Sequence, residues 1–414
     1  MFSNLKKFIK SILRIQFLYN FFAFLYNVVY DYLYLNFFGF ILRIFPIKNN
    51  KIVVCSYYGM DYGDNPKPIV EKLLNIDKNK KLDIVWILNS DFYDCNSLPD
   101  RVRKVKYESI ACLYELVTAK IWIDNSRKKF VPPKRKKQFY IQTWHGGLCL
   151  KKIEKDAEDV LPKLYIKRAI KDSKYSDLFV SNSKWESMLY HNSFWYDGEI
   201  LEVGLPRNDI LINSSLHDNI CKKVHNELNV SLDKRILLYA PTFRKSYNLD
   251  CYNIDYLNLK KELEEKTGKE WVILVRLHPN ISIKSEELSL PSNVIDVSAY
   301  PDLYNLMIAT NLLITDYSSL MFDFGYLRRP VVLFATDIDS YLNDRGFMFD
   351  FKELPFIFTK NNRELIQSIK KYNEANYQKN LNNFYNSVGL NETGNSSTKI
   401  ANLIIKECGI NEEK

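Results

Sequence analysis

Between residue 49 and the C-terminus, short apolar runs alternate with longer stretches of helical periodicity. KIVVCSYY, LDIVWIL, AKIWIDN, QFYIQTW, DLFVSN and EILEVG come first; RILLYAP, WVILVRLHP, NVIDVS, NLLITD and PVVLFA follow a polar helical stretch from His217 to Val230. Runs of this length without strict alternation predict strands buried on both faces of a parallel sheet. Segments such as Glu108 to Thr118 have the helical spacing that crossovers between parallel strands require. The pattern predicts an α/β protein with two Rossmann-like βαβ domains, residues 49–225 and 226–414, the second closing on charged helical segments from Lys360 onward. A chain of 414 residues, 46% of them hydrophobic, has the length for two cores rather than one.

Before residue 49 the texture differs. From Gln16 to Leu42 the only formal charge is Asp31, and Phe and Tyr dominate, as in FLYNFFAFLYNVVY and YLYLNFFGFIL. Asn20, Asn27, Asp31 and Asn36 punctuate the run, and Tyr prefers the headgroup level of a bilayer, so an interfacial helix fits better than a spanning one. Lys6, Lys7, Lys10 and Arg14 would meet anionic lipid while the rings enter the acyl boundary. Residues 1–48 therefore read as an amphipathic helical membrane-associating segment; a helical hairpin packed on its own protein or on a second subunit is the alternative. No A-x-A-like cleavage site follows the apolar region, which disfavours a signal peptide.

Charge placement agrees with a peripheral membrane protein. The net charge is +9, and it concentrates in residues 1–48 and in RKKFVPPKRKK, Arg127 to Lys137, leaving the rest of the chain slightly acidic. Two local patches, one beside an aromatic apolar segment, suit an anionic membrane surface, although a merely solvated Arg127–Lys137 stretch remains open. No RNP-like aromatic strand or basic groove pattern supports nucleic-acid binding. The seven cysteines (Cys55, Cys95, Cys112, Cys149, Cys221, Cys251 and Cys408) lie singly, without a CxxC pair, as reduced thiols of a cytoplasmic protein would. No metal or cofactor is expected.

In open α/β sheets ligands bind beyond the carboxyl ends of the strands, so the polar residues there are the candidates for chemistry. Gln142-Thr143-Trp144-His145-Gly146-Gly147 leaves one strand with a histidine followed by two glycines that permit close approach. His145 is well placed as a general base, unless it only hydrogen-bonds a loop. Arg276-Leu277-His278-Pro279 leaves a strand of the other domain, where Pro279 pushes His278 toward an extended conformation. Thr315-Asp316-Tyr317-Ser318-Ser319 runs from a strand into a helix whose first-turn N–H groups could cradle a diphosphate, or be capped by Asp316 or Ser318 instead. Asp323 lies one turn deeper, where it could accept from a ribose. Arg244, after RILLYAPTF, can fork onto phosphate oxygens, and the turn Gly204 to Asp209 reads as a hinge between domains. The chain lacks GxxxxGK[ST], a strand-following GxGxxG, GxSxG and HExxH, which disfavours P-loop, dinucleotide-dehydrogenase, serine-hydrolase and zincin chemistry.

QTWHGG, VGLPRND, YAPTFR, RLHP and ITDYSSLMFDF, in this order and spacing, resemble the CDP-glycerol glycerophosphotransferase family of teichoic-acid primases and polymerases. RGFMFDF (Arg345 to Phe351) and GNSSTKIANLI extend the likeness toward the C-terminus. The resemblance implies a GT-B fold of two facing domains, with a CDP-alcohol donor held mainly by the second. It implies functional histidines at His145 and His278, a donor diphosphate at Ser318 and Ser319, and an Arg244 that helps hold the donor. Arg276, Thr315, Asp316 and Asp323 join the donor side, and Gly146, Gly147 and Lys151 the acceptor side or its loop. Members commonly carry Thr where Gly147 stands, and LCLKKIEKD is only loosely familiar.

The expectation is a transferase that moves glycerol phosphate, or a related polyol phosphate, from CDP-glycerol to a hydroxyl of a lipid-linked or glycan acceptor and releases CMP. It would work peripherally at the cytoplasmic face of the cell membrane, with room for a homo-oligomer. The rivals are a GT-B glycosyltransferase using a nucleotide sugar and a non-catalytic, membrane-bound polymer-assembly protein.

Overall fold

The apolar runs become strands because β-branched and aromatic side chains fill both faces of a parallel sheet. The computed structural model describes residues 25, 29–94, 98–242, 244, 252–277, 290–338 and 346–410. The chain divides into two units: Met1–Thr143 with Lys171–Leu178 and Ala401–Lys414, and Trp144–Ile170 with Phe179–Ile400.

The first unit carries β1 (Lys48–Cys55), β2 (Asp83–Leu88), β3 (Val102–Lys106), β4 (Ala119–Asp124) and β5 (Phe139–Gln142). Their order is β3-β2-β1-β4-β5, and every pairing is parallel. β1 pairs with β2 from Lys51↔Asp83 to Cys55↔Ile87, and with β4 from Ile52↔Ile121 to Cys55↔Asp124. The helix Ile110–Thr118 starts at Ser109, whose hydroxyl accepts from the Cys112 N–H, and Trp122 donates its Nε1 to the Leu116 carbonyl at 2.8 Å. β3, sequence VRKVK, lacks an apolar run and was not anticipated; as an edge strand it buries only Val102 and Val105.

The basic stretch Arg127–Lys137 needs a correction, because two of its cations are buried. Arg127 donates to Ser173 at 2.7 Å and pairs with Asp172 at 3.4 Å, while Lys128 pairs with Asp124, the last residue of β4. Lys128 also lies 5.4 Å from the Tyr140 ring centroid. Burial pushes the Asp124 carboxyl up to about 7, against the pull of Lys128. These cations neutralise buried carboxylates and cannot meet a membrane; Lys129, Lys136 and Lys137 remain exposed.

Lys6, Lys7, Lys10 and Arg14 lie outside the described residues. The helix Tyr30–Phe38 and the short turns to Ile44 bury Leu35, and Tyr34 donates to the Glu108 carbonyl at 2.8 Å. Phe37, Phe38, Phe40 and Ile44 are exposed. Among the described residues no helix is long and apolar enough to cross a membrane.

The second unit contains β7 (Glu199–Glu202), preceded by β6 (Leu178–Ser181). It also contains β8 (Arg235–Tyr239), β9 (Trp271–Val275), β10 (Val294–Asp296), β11 (Leu312–Thr315), β12 (Val331–Phe334) and β13 (Ile357–Thr359). These last six form a parallel sheet in the order β10-β9-β8-β11-β12-β13. β13, sequence IFT, was not anticipated either. The chain closes on helices Asn362–Lys371, Glu374–Val388 and Ser396–Glu407, as expected from Lys360 onward. Phe322, Phe384, Phe349 and Phe356 pack in one aromatic cluster behind the helix Leu320–Gly325.

Candidate functional site

The second unit brings together three of the motifs found in the sequence. His145 is half-buried, three residues beyond the end of β5, and its ring lies 4.3 Å from the ring of Trp144. Trp144 has φ 51°, a left-handed conformation that bulky residues rarely adopt, and is held by burial against Phe194 at 4.8 Å. Arg207, from the turn after Gly204, donates its Nη1 to the His145 carbonyl at 2.5 Å and its Nη2 to Asp323 Oδ2 at 3.0 Å. Asp323 also accepts from the Tyr304 hydroxyl at 3.0 Å. Both members of the Arg207–Asp323 pair are over nine-tenths buried, so removing either strands the other charge, a loss of about 3–5 kcal/mol.

The turn that presents Arg207 is itself anchored by the C-terminal segment. Glu392 accepts from Asn208 Nδ2 at 2.7 Å, from Asn182 Nδ2 at 3.2 Å and from the Leu205 N–H. Asp209 accepts from the N–H groups of Ser396 and Ser397, both at 2.8 Å, capping the helix that GNSSTKIANLI forms. Glu186 accepts from the Asn182 N–H at 2.7 Å and from the Tyr190 hydroxyl at 2.5 Å. Burial pushes both Glu186 and Glu392 up to about 8, with the donors around them pulling the other way.

Gly146 and Gly147 differ in what they allow. A Cβ at Gly146 would meet only Trp144, at 3.9 Å; one at Gly147 would sit 2.4 Å from Asn182 Nδ2 and 3.1 Å from Leu205 Cδ1. Gly147 is thus required by the Asn182 side chain, which also donates to the Tyr326 hydroxyl at 3.0 Å. Lys151 pairs its backbone antiparallel with Phe347, and the flanking Lys152 and Met348 N–H groups bond to Gly346 and Leu150 carbonyls. The LCLKK stretch is therefore tied to the segment that contains GFMFDF.

Most of the residues expected on the donor side are engaged by the protein itself. Arg244 forks onto Asp337, Nε to Oδ2 at 2.7 Å and Nη2 to Oδ1 at 3.0 Å, and meets Asp316 Oδ2 at 2.8 Å. Its Nη1 donates to the Thr242 carbonyl, and its guanidinium lies 4.7 Å from the Tyr317 ring. Asp316 Oδ1 accepts from the N–H groups of Thr242 and Tyr317 and from the Thr242 hydroxyl, tying the loop after β8 to the loop after β11. Burial alone would raise the Asp337 carboxyl, but the Arg244 contacts hold it below its ordinary value. Arg276 donates to the carbonyls of Val297 and Tyr300, and the Thr315 hydroxyl to that of Ala240. Ser318 and Ser319 remain half-exposed and lie just ahead of the helix Leu320–Gly325 rather than inside its first turn. Ser318 Oγ accepts from the Leu320 N–H at 3.3 Å.

His278 and Pro279 lie outside the described residues, and so does Arg345. Among the described residues no group of three or more His, Cys, Asp or Glu could hold a metal ion. Sequence reasoning passed over Arg207, which it read as part of a hinge, and over Asp337, Glu392 and Asn182. Arg207 and Asn208 stood inside a quoted motif, so their identity was visible; their partners, 116 and 184 residues away in sequence, were not.

Comparison with known proteins bears on this arrangement. Residues 37–406 match the family model described as CDP-Glycerol:Poly(glycerophosphate) glycerophosphotransferase. The chain is 31% identical over 375 residues to the teichoic acid poly(glycerol phosphate) polymerase of Bacillus subtilis (strain 168), covering 87% of this chain and 49% of that one. It is 32% identical over 376 residues to the teichoic acid glycerol-phosphate transferase of Staphylococcus aureus (strain NCTC 8325 / PS 47), covering 87% and 94%. It spans about half the length of the Bacillus polymerase and of a Staphylococcus epidermidis polymerase. Among solved structures, a variant of the wall teichoic acid polymerase TagF soaked with CDPG superposes with a TM-score of 0.77 at 30% identity, over 88% of this chain and 90% of that one.

Proposed function

Because the chain belongs to the CDP-glycerol:poly(glycerophosphate) glycerophosphotransferase family, we propose that it transfers glycerol phosphate from CDP-glycerol to a hydroxyl of a teichoic-acid-type acceptor. The acceptor oxygen attacks the β-phosphorus, a new P–O bond forms, the bond to the bridging oxygen breaks, and CMP leaves with that oxygen. His145 takes the proton of the attacking hydroxyl. His278 and the backbone around Ser318 and Ser319 stabilise the charge on the phosphate oxygens, since phosphoryl-type transfer is driven mainly by positioning and electrostatics. The observation that carries this assignment is the buried Arg207–Asp323 pair, which joins the His145 loop to the helix that follows Ser318 and Ser319.

Arg244 takes a more limited role than a direct phosphate fork. Asp337, Asp316 and the Thr242 carbonyl use its donors, so contact with a diphosphate requires exchange of Asp337; otherwise Arg244 braces the donor loops. The exposed Phe37, Phe38, Phe40 and Ile44 support attachment of the N-terminal segment to a membrane surface, which the use of a cytoplasmic nucleotide donor would place at the cytoplasmic face. A screen of CDP-glycerol, CDP-ribitol and UDP-sugars for nucleotide release tests the function. CMP from a CDP-alcohol, with no UDP from the sugars, is expected; UDP release alone would assign a glycosyltransferase instead.

A further inference from the structure

We propose that Arg207, locked by Asp323, is the positioning residue that holds His145 in its reactive geometry and links it to the donor loop; this rests on the function proposed above. His145 follows a residue at φ 51°, and such a conformation in a bulky side chain is strained and persists only when its surroundings over-determine it. Two restraints do so: the Trp144 ring, buried against Phe194, and the Arg207 donor that captures the carbonyl of His145 itself at 2.5 Å. A guanidinium is suited to this because its rigid fork serves two acceptors in different directions, whereas an ammonium is a point charge. Asp323 fixes the fork, Tyr304 fixes Asp323, and Glu392 fixes the turn through the side chain of Asn208.

Asp323 lies four residues after Ser319, within the helix Leu320–Gly325. Through Arg207 it is connected to the backbone of His145. Asp323 accordingly works through Arg207 rather than on a ribose, as its two protein partners at 3.0 Å indicate.

The test uses Arg207→Met, Arg207→Lys, Asp323→Asn and the double variant Arg207→Met with Asp323→Asn, with folded fraction followed by near-ultraviolet circular dichroism. The first readout is the His145 imidazole resonance, assigned by its loss in His145→Ala, which reports positioning whether or not CDP-glycerol is the donor. It should shift and broaden in Arg207→Met and partly recover in Arg207→Lys. The second is CMP release at saturating CDP-glycerol. Because a misplacement of about 1 Å can cost on the order of 100-fold, kcat should fall roughly 30- to 100-fold in Arg207→Met, while donor affinity by calorimetry changes less than about threefold. The limb of the pH–rate profile that reports the base should move, and the double variant should be no slower than Arg207→Met alone. An unchanged imidazole resonance in folded Arg207→Met, additive losses in the double variant, or a loss carried by donor affinity would each overturn the proposal. Absence of CMP release by the wild type would refute the proposed function, while the resonance would still decide the positioning role.

Discussion

Replacing Gly147 with Ala tests the packing that holds the His145 loop. The added Cβ would lie 2.4 Å from Asn182 Nδ2, about 1 Å inside ordinary contact, and Leu205 Cδ1 at 3.1 Å closes the other side. Asn182 is fully buried, so its amide cannot swing into solvent; it must give up its bonds to the Tyr326 hydroxyl at 3.0 Å and to Glu392 at 3.2 Å, or push the glycine loop away. Overpacking of this kind costs about 1–3 kcal/mol, and a buried hydrogen bond lost with it about 1 kcal/mol more. A total of roughly 2–4 kcal/mol corresponds to a fall in melting temperature of the order of 2–5 °C for a chain of 414 residues that unfolds as one. Scanning calorimetry or circular dichroism measures it directly. Asn182→Ala removes the opposing atom, so the double variant should be more stable than the sum of the two single losses predicts, by at least about 1 kcal/mol. A Gly147→Ala protein that melts within about 1 °C of wild type, or strictly additive losses, would refute the steric argument. The same reasoning predicts that a relative with Thr at this position leaves the space of the Asn182 amide empty.

The folded-state pKa of Glu392, pushed up to about 8, lies above its unfolded value of about 4.3, so its contribution to stability is full below about pH 4.3 and is lost as pH rises through about 8. Melting temperatures between pH 5 and 9 should therefore fall less steeply in Glu392→Gln than in wild type, and equal slopes would show that Glu392 does not titrate there. Ser318→Ala with Ser319→Ala should raise the Michaelis constant for CDP-glycerol several-fold without abolishing binding, because the backbone N–H groups remain; unchanged donor affinity by calorimetry would move the diphosphate elsewhere. Deletion of residues 1–45 should release the protein from anionic vesicles, and salt should weaken full-length binding by screening about 1 kcal/mol per basic residue without removing it. Equal co-sedimentation of both forms would rule out that segment as the anchor.

Most strands were legible because apolar runs of parallel sheets are continuous; β3, sequence VRKVK, lacks that run, and β13 contributes only three residues, Ile357–Thr359. The candidate site was legible in a different sense. The loops that carry His145, Arg207 and Asp323 stood out as motifs, but a motif gives residue types and not their partners. Arg244 read as a phosphate ligand, and Asp316 as a donor-side residue, because charge at a strand end is ambiguous; the structure satisfies both with protein atoms. Arg127 and Lys128 read as surface charge for the same reason, since the buried Asp124 and Asp172 that neutralise them were not distinguishable from exposed acids. Glu392 gave no signal at all, because its role depends on a turn more than 180 residues earlier in the chain.

The most direct test of the account is to incubate the protein with CDP-glycerol and a short synthetic teichoic-acid acceptor, and to follow CMP by chromatography and the acceptor by mass spectrometry. Wild type should release one CMP for each glycerol phosphate added to the acceptor. His145→Ala, folded and still binding CDP-glycerol, should do so about 100-fold or more slowly, the range expected for loss of a general base. Near-normal transfer by His145→Ala, or CMP release without extension of the acceptor in the wild type, would contradict it.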